Sequence, residues 1–375
     1  MPHLVCHNCA VATKTQVRIL TVGPAPAGPA SRGGMASVMR LMVDDPDPRF
    51  IITAVPTFVD AAVMTRLWVG IRGMTVAVTL IMCGRADLVH VHLSHGGSVV
   101  RKSLPLMAAR LRGIPAVVHG HSFDFSGWLD PLPAVVRRLA RAALPADRWL
   151  VLGRSLAQQY RRSLELPEAK VEVFPNPVVV PAVESRRVAA ARPLTAVALG
   201  RLGQRKGTYD LVHAVGLLPA DTRTQLRIVL AGDGEVDQVR ALVTARGLAD
   251  VIEVPGWIEP PERDQLLSAA DILLLPSYDE GLPMAILEAM AHGVVPLTTP
   301  VGGIPEAVTD GVDGVLVPPG EPEALAAALH RLTTDDALRL KLAASARQRA
   351  EAFDIAGWRA GLAELWLSLA ARQPG

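Results

Sequence analysis

The chain is poor in cysteine: three in 375 residues, too few for a disulfide framework, so a reducing cytoplasm is the expected compartment. No charged-then-apolar leader opens it, which fits the same compartment. Neither sign of charge dominates, with 38 basic against 36 acidic side chains, which excludes a nucleic-acid binder held by bulk charge and a disordered charged tail. An uncharged apolar run of membrane-spanning length is also missing. The most apolar stretch, Ala61 to Gly84, is interrupted by Arg66 and Arg72, and its uncharged part, Gly73 to Gly84, falls short of the ~18–20 residues a span needs. A buried helix is expected there. Cys6 and Cys9, with His3 and His7 close by, suggest a metal, but a zinc site takes about four ligands and the chain has no second cysteine pair. Residues 1–16 are therefore expected to be a loose N-terminal extension.

Half of the residues are apolar and a fifth charged, the composition of a soluble globular enzyme. The length exceeds the ~250–300 residues at which a single core stops growing, so two domains are expected. Short β-branched runs alternate with longer helix-compatible segments, the pattern of βαβ units on a mostly parallel sheet, and the alternation occurs twice. In the first half the strand candidates are Val17–Val22, Phe50–Val55, Asp87–His92, Pro115–His119, Trp149–Leu152 and Val171–Phe174. In the second they are Leu194–Leu199, Gln225–Leu230, Val251–Val254, Ile272–Leu275, Val294–Leu297 and Gly314–Val317. Pro175, Pro177, Pro181 and Pro193 mark the region between them. The fold class is thus α/β, with two doubly wound domains facing a cleft: 17–178, a linker 179–192, and 193–354. Ligands of such sheets sit outside the carboxyl ends of the strands, and the unusual residues of this sequence cluster in those loops.

The strongest string runs from Tyr278-Asp279-Glu280-Gly281-Leu282-Pro283-Met284 to Glu288 and Gly293, after the strand that ends at Leu275. Pro283 suits the first turn of a helix, whose free N–H groups near Leu282 to Met284 would point into the cleft toward an anion or a hydroxyl-rich ligand. Glu280 lies in the loop at that end. Glu288 lies within the helix, where a carboxylate needs partners that sugar or ribose hydroxyls could supply. Taken alone, the two carboxylates read equally as an N-terminal charge and an exposed helix residue. Gly200-Arg201-Leu202-Gly203-Gln204-Arg205-Lys206-Gly207 follows the first strand of the second half, and Arg201 and Lys206 could flank a diphosphate. A basic loop is often just a solvated face; this one's place at a strand's carboxyl end favours phosphate. Gly33-Gly34 permits close approach of a phosphate or of the other domain. Gly232 opens either a nucleotide-contacting loop or a plain turn into the next helix.

In this order and spacing the strings resemble the GT-B retaining glycosyltransferases of family 4, over nearly the whole chain after Val17. Glu280 and Glu288 match the family's pair of glutamates separated by seven residues, followed by Gly293-Val294-Val295-Pro296 and Val301-Gly302-Gly303-Ile304-Pro305-Glu306. The resemblance implies that Glu280 contacts the donor sugar near its reacting carbon and Glu288 the ribose, with Gly281, Leu282, Pro283 and Met284 forming the donor-binding helix start. It implies that Arg201 and Lys206 hold the leaving diphosphate while Gly34 approaches it from the first domain. The family's cleft histidine falls on His121, six residues after Pro115, with His119 second; His90, His92 and His95 are expected to be mainly structural or acceptor-side. A C-terminal helix within 355–375 is expected to return to the first domain.

The activity implied is transfer of a hexosyl residue, mannose or glucose, with retention, from a nucleotide-diphosphate sugar. No metal cofactor is expected, because Arg201 and Lys206 can meet the developing charge and the one Asp-x-Asp string, Asp45-Pro46-Asp47, lies in a proline-broken turn far from the other motifs. Gly97 to Ser103 and His119 to Phe125 are similar to bacterial transferases that build cell-surface glycans, which implies a lipid-linked saccharide or glycolipid acceptor. Trp128, Leu129, Leu132, Val135 and Val136 beside Arg137, Arg138 and Arg141 could lie on the inner membrane face or equally form a core stripe with a basic edge. Two rivals remain at this point: a nucleotide-sugar epimerase of the same architecture, and a non-catalytic nucleotide-sugar-binding protein.

Overall fold

The computed structural model describes residues 16–28, 31–182 and 193–371. The Cys6 and Cys9 region and most of the expected linker lie outside the described residues.

The first half alternates β1 (Val17–Pro24), α1 (Gly34–Val43), β2 (Phe50–Phe58), α2 (Val63–Met82), β3 (Leu88–Leu93), α3 (Gly97–Leu111), β4 (Ala116–Gly120), α4 (Phe125–Leu129), α5 (Ala134–Ala142), β5 (Arg148–Val151), α6 (Arg154–Leu164) and β6 (Val171–Val173). These strands form one parallel sheet in the order β2-β1-β3-β4-β5-β6. Parallel strands covered on both faces read as continuous apolar runs, and β3 is buried along its whole length. Val89, Val91 and Val118 face α2 and α3, while Ile19, Leu88, Val117 and Leu150 face α1 and the C-terminal helix.

The second half runs β7 (Leu194–Leu199), α7 (Thr208–Leu217), α8 (Ala220–Arg223), β8 (Leu226–Ala231), α9 (Val236–Ala245), β9 (Ile252–Gly256), α10 (Pro260–Ala269), β10 (Ile272–Leu275), α11 (Met284–Ala291), β11 (Val295–Thr298), α12 (Ile304–Ala307), β12 (Val315–Leu316), α13 (Pro322–Thr334), α14 (Asp336–Ala350) and α15 (Ile355–Ala370). Its parallel sheet has the order β12-β11-β10-β7-β8-β9. The order reverses direction between β7 and β10, so the loops that leave these two strands open a crevice at their carboxyl ends. Two doubly wound, Rossmann-like units are therefore present, as the alternation of the sequence implies.

Helix α15 packs on the first sheet. Trp366 is fully buried, meets the Phe50 ring edge-on at 5.2 Å and donates its indole N–H to His90 Nδ1 at 3.2 Å. Its burial and that of Leu362 and Leu369 contribute on the order of 2–3 kcal/mol per side chain. The two chain crossings between the halves lie side by side: Val178 N–H donates to Phe353 O and Ile355 N–H to Val178 O, both at 2.8 Å.

The apolar stretch after Ala61 departs from expectation. It is a helix, α2, but not a buried one: only Gly70, Gly73, Ala77 and Ile81 are buried. The face that meets the sheet is built of small residues because the backbone comes close; a Cβ on Gly73 would stand 2.2 Å from Pro56 O. The large apolar side chains are therefore left on the outside.

Candidate active site at the domain cleft

The loop after β7 turns through a short 3₁₀ segment, Gln204–Lys206, and the loop after β10 carries Ser277 to Leu282 into α11. Both leave the strands that flank the crevice. Glu280 is 7% exposed. Its carboxylate accepts a bond from Lys206 Nζ and a second from Ser277 Oγ at 2.8 Å, while Arg205 lies 4.0 Å away. A carboxylate so enclosed needs partners to offset its desolvation, and two cations and a hydroxyl supply them here. Arg205 also donates to Asp279 O at 2.8 Å, and its guanidinium lies 5.1 Å from the centre of the Phe123 ring in the first half. One side chain thus joins Glu280 to the loop that carries His121.

Of the expected phosphate pair, only Lys206 is brought to Glu280. Arg201 points outward with 72% of its side chain exposed, 3.8 Å from Asp233. Gly232 packs on the strand beside it: a Cβ there would fall 1.6 Å from Gly200 O, so close backbone approach by itself demands glycine at this position. Pro283 is the N-cap of α11 and Met284 its first residue, one position later than a first-turn proline. Gly281 lies against Leu152 and the His121 carbonyl, and Leu282 O accepts from the buried Asn176 Nδ2 at 2.7 Å. Gly34, at the start of α1, meets Met284, with an added Cβ only 3.2 Å from Met284 Cγ. Two helix N-termini, one from each half, therefore converge on one spot.

Glu288 is largely enclosed, and Arg263 of α10 reaches its Oε1 at 3.3 Å. Desolvation raises its pKa, Arg263 lowers it and Asp264 adds to the rise. Protein thus supplies the partner that the sequence alone left to a ligand hydroxyl.

His121 Nε2 and His92 Nδ1 are 2.9 Å apart, and His121 N–H donates to Leu93 O at 2.7 Å. Burial, then the neighbouring His119 and His90, hold its pKa well below the usual histidine value, so the ring is neutral at pH 7. His119 is fully buried, and burial pushes its pKa down to about 3. His90, His92 and His119 each offer a nitrogen within 4.8 Å of the others, a spacing that could hold a metal ion. His90 Nδ1, however, accepts from Trp366 of α15, which leaves its proton on Nε2, and all three rings are fully buried. Asp45 and Asp47 face Arg359 and Arg49 respectively.

The stripe at 128–141 splits in two. Leu129 is fully buried and Trp128 packs edge-on against Phe125, whereas Val135, Val136 and Leu139 stand exposed. Sequence reasoning missed Asn176, Ser277, Arg205 in its bridging role, and the clamp formed by Ser155 Oγ on Gly302 O and Arg154 N–H on Glu306. Asn176 carried a signal: it is the lone amide within a proline-rich crossing.

Comparison with known proteins bears on this arrangement directly. Residues 184–349 match the family model described as Glycosyl transferases group 1, and residues 12–181 match the one described as Glycosyltransferase Family 4. Over 304 residues the chain is 31% identical to a D-inositol 3-phosphate glycosyltransferase of Nocardiopsis dassonvillei, covering 74% of this chain and 69% of that protein. The chain belongs to the GT-B glycosyltransferases of the family 4 type. This glycosyltransferase is also similar to the amylovoran biosynthesis glycosyltransferase AmsK of Erwinia amylovora, 28% identical over 275 residues, 71% of this chain and 66% of that one. In fold it is similar to Anabaena HepE, solved in complex with UDP-glucose, at a TM-score of 0.73 and 19% identity over 94% of this chain and all of that one.

Proposed function

We propose that this glycosyltransferase moves a hexosyl residue, mannose or glucose, with retention, from a nucleotide-diphosphate sugar to a lipid-linked saccharide or glycolipid in polysaccharide synthesis. The observation that carries the proposal is the enclosed Lys206–Glu280 pair at the β7/β10 crevice, joined through Arg205 and Phe123 to the loop of His121. A relative named for amylovoran biosynthesis and a structural neighbour holding UDP-glucose support the substrate classes, and UDP-glucose is the first donor to test.

In this scheme the diphosphate lies between the starts of α1 and α11, where free backbone N–H groups and Gly34 allow close approach. Lys206 meets the charge that grows on the leaving oxygen, and Arg201 swings in from the rim. Donors fixed in place before the reaction stabilise such charge without reorganisation, and transfer then needs no divalent cation. Glu280 orients the sugar hydroxyls, Glu288 the ribose, and neutral His121 faces the sugar from the acceptor side. Closure of the two halves excludes water that would hydrolyse the donor.

The test is turnover of uridine, guanosine and adenosine diphosphate sugars with total bacterial lipid extract, comparing wild type with Glu280→Ala and Lys206→Ala. One donor should yield labelled lipid, and each substitution should cost ~10²-fold or more in turnover. Isomerised donor without transfer would instead support an epimerase, and tight binding without turnover a binding protein.

A further inference from the structure

Helices α2 and α3 pack together over one face of the first sheet and turn a row of large apolar side chains to solvent. On α2 these are Val63, Met64, Leu67, Trp68 and Ile71, with Met64 at 76% and Trp68 at 63% exposure; on α3, Val100, Leu104, Met107 and Leu111 are exposed as well. Contiguous apolar surface of this kind marks a binding face rather than ordinary scatter. Between Ala61 and Ala86, and again between Gly97 and Phe123, the chain has no acidic residue, while Arg66, Arg72, Arg85, Arg101, Arg110 and Arg112 fall in the same segments.

The geometry points to this α2–α3 face as a docking surface for an anionic phospholipid bilayer, with the apolar side chains seated at the headgroup boundary and the arginines against lipid phosphates. Three observations select that occupant. Charge is the first: a second copy docked through the same face would set arginines against arginines with no carboxylate in either segment to offset them, whereas an anionic surface complements them. Orientation is the second. Although α2 is long and apolar enough to cross a membrane, Gly70, Gly73, Ala77 and Ile81 are held against the protein, so the helix can lie in the interface but cannot leave the fold to span. Amphipathic placement is the third: Trp68 and the arginines that flank it in sequence are the residue types that settle at the lipid–water boundary. Val135, Val136 and Leu139 of α5 are exposed as well. The purpose of docking rests on the lipid-linked acceptor proposed above; the surface itself does not.

The experiment is flotation of the full chain with vesicles of phosphatidylglycerol and phosphatidylethanolamine, against vesicles of phosphatidylcholine alone, at low and high salt. Wild type should float with the anionic vesicles and be released by salt. The double substitution Leu67→Glu/Trp68→Glu should reduce partitioning at least ~10-fold, with donor binding in solution and thermal midpoint unchanged because both side chains are exposed. Arg66→Glu/Arg72→Glu should remove the preference for anionic lipid. Absence of wild-type binding overturns the inference, as does equal binding by the Leu67→Glu/Trp68→Glu protein. A dimer dispersed by that substitution, without vesicle binding, would assign the face to a second copy. A protein that docks on vesicles yet labels no lipid would sink the acceptor proposal and leave the docking face standing.

Discussion

Glu280 is aimed by backbone packing as much as by its own contacts. Gly302 has φ 58°, and a Cβ on it would stand 1.7 Å from Glu280 O, so the loop bearing the carboxylate rests directly on a glycine. Only a residue without a side chain allows both the left-handed conformation and the approach. Gly302→Ala should therefore lower stability by about 2 kcal/mol and, by moving Glu280 relative to Lys206, lower kcat/KM at least ~10²-fold. Thermal unfolding and donor turnover measured on the same preparation separate the two effects. Wild-type turnover in Gly302→Ala would show that this packing has no part in positioning Glu280.

At the scale of elements, α3 carries an ammonium where an apolar side chain would pack. Lys102 is 1% exposed and donates to Thr57 Oγ1, whose hydroxyl in turn bonds Gly23 O. Burial, then the charge of Arg101, pushes its pKa down to about 7. Below pH 7 both folded and unfolded chains hold the proton. Between about 7 and 10.5 the unfolded chain keeps a proton that the folded one has released, so stability rises with pH across that window. Lys102→Met should flatten that rise and stabilise the protein at pH 7 by on the order of 4 kcal/mol, read from denaturant melts at pH 7 and 9. An unchanged pH slope would place the titration elsewhere. The elements themselves were largely legible in the sequence, because strands buried on both faces are written as short apolar runs, as at Leu194–Leu199. The burial of α2 was not. Apolar content alone cannot tell a core helix from one whose glycines face the sheet and whose Trp68 faces outward. Lys206 and Glu280 were legible as a motif, but Asn176 and Arg205 act through contacts more than 70 residues away along the chain, which spacing does not reveal.

Across the whole molecule the two halves meet at specific points around the cleft. The Arg32 guanidinium of the first half lies 4.4 Å over the Trp257 indole of the second, Arg205 lies over Phe123, and Gly34 abuts Met284. The last contact decides how near the N-termini of α1 and α11 can come, and hence whether one diphosphate can be bound by both. At Gly34 a Cβ would already be 3.2 Å from Met284 Cγ, tighter than ordinary contact, and the γ-methyls of valine would force the helix ends apart. Gly34→Val should accordingly raise the donor KM about 10-fold or more, a loss of roughly 1.4 kcal/mol or more, while each half keeps its own core. Adding Met284→Ala makes room for the new side chain and should recover most of the loss, since the two substitutions act at one contact and are not additive. Steady-state kinetics on the two single variants and the double variant form the test. A Gly34→Val enzyme with wild-type KM would mean that the donor is held by the second half alone and that the meeting of the two helix ends serves only to pack the closed molecule.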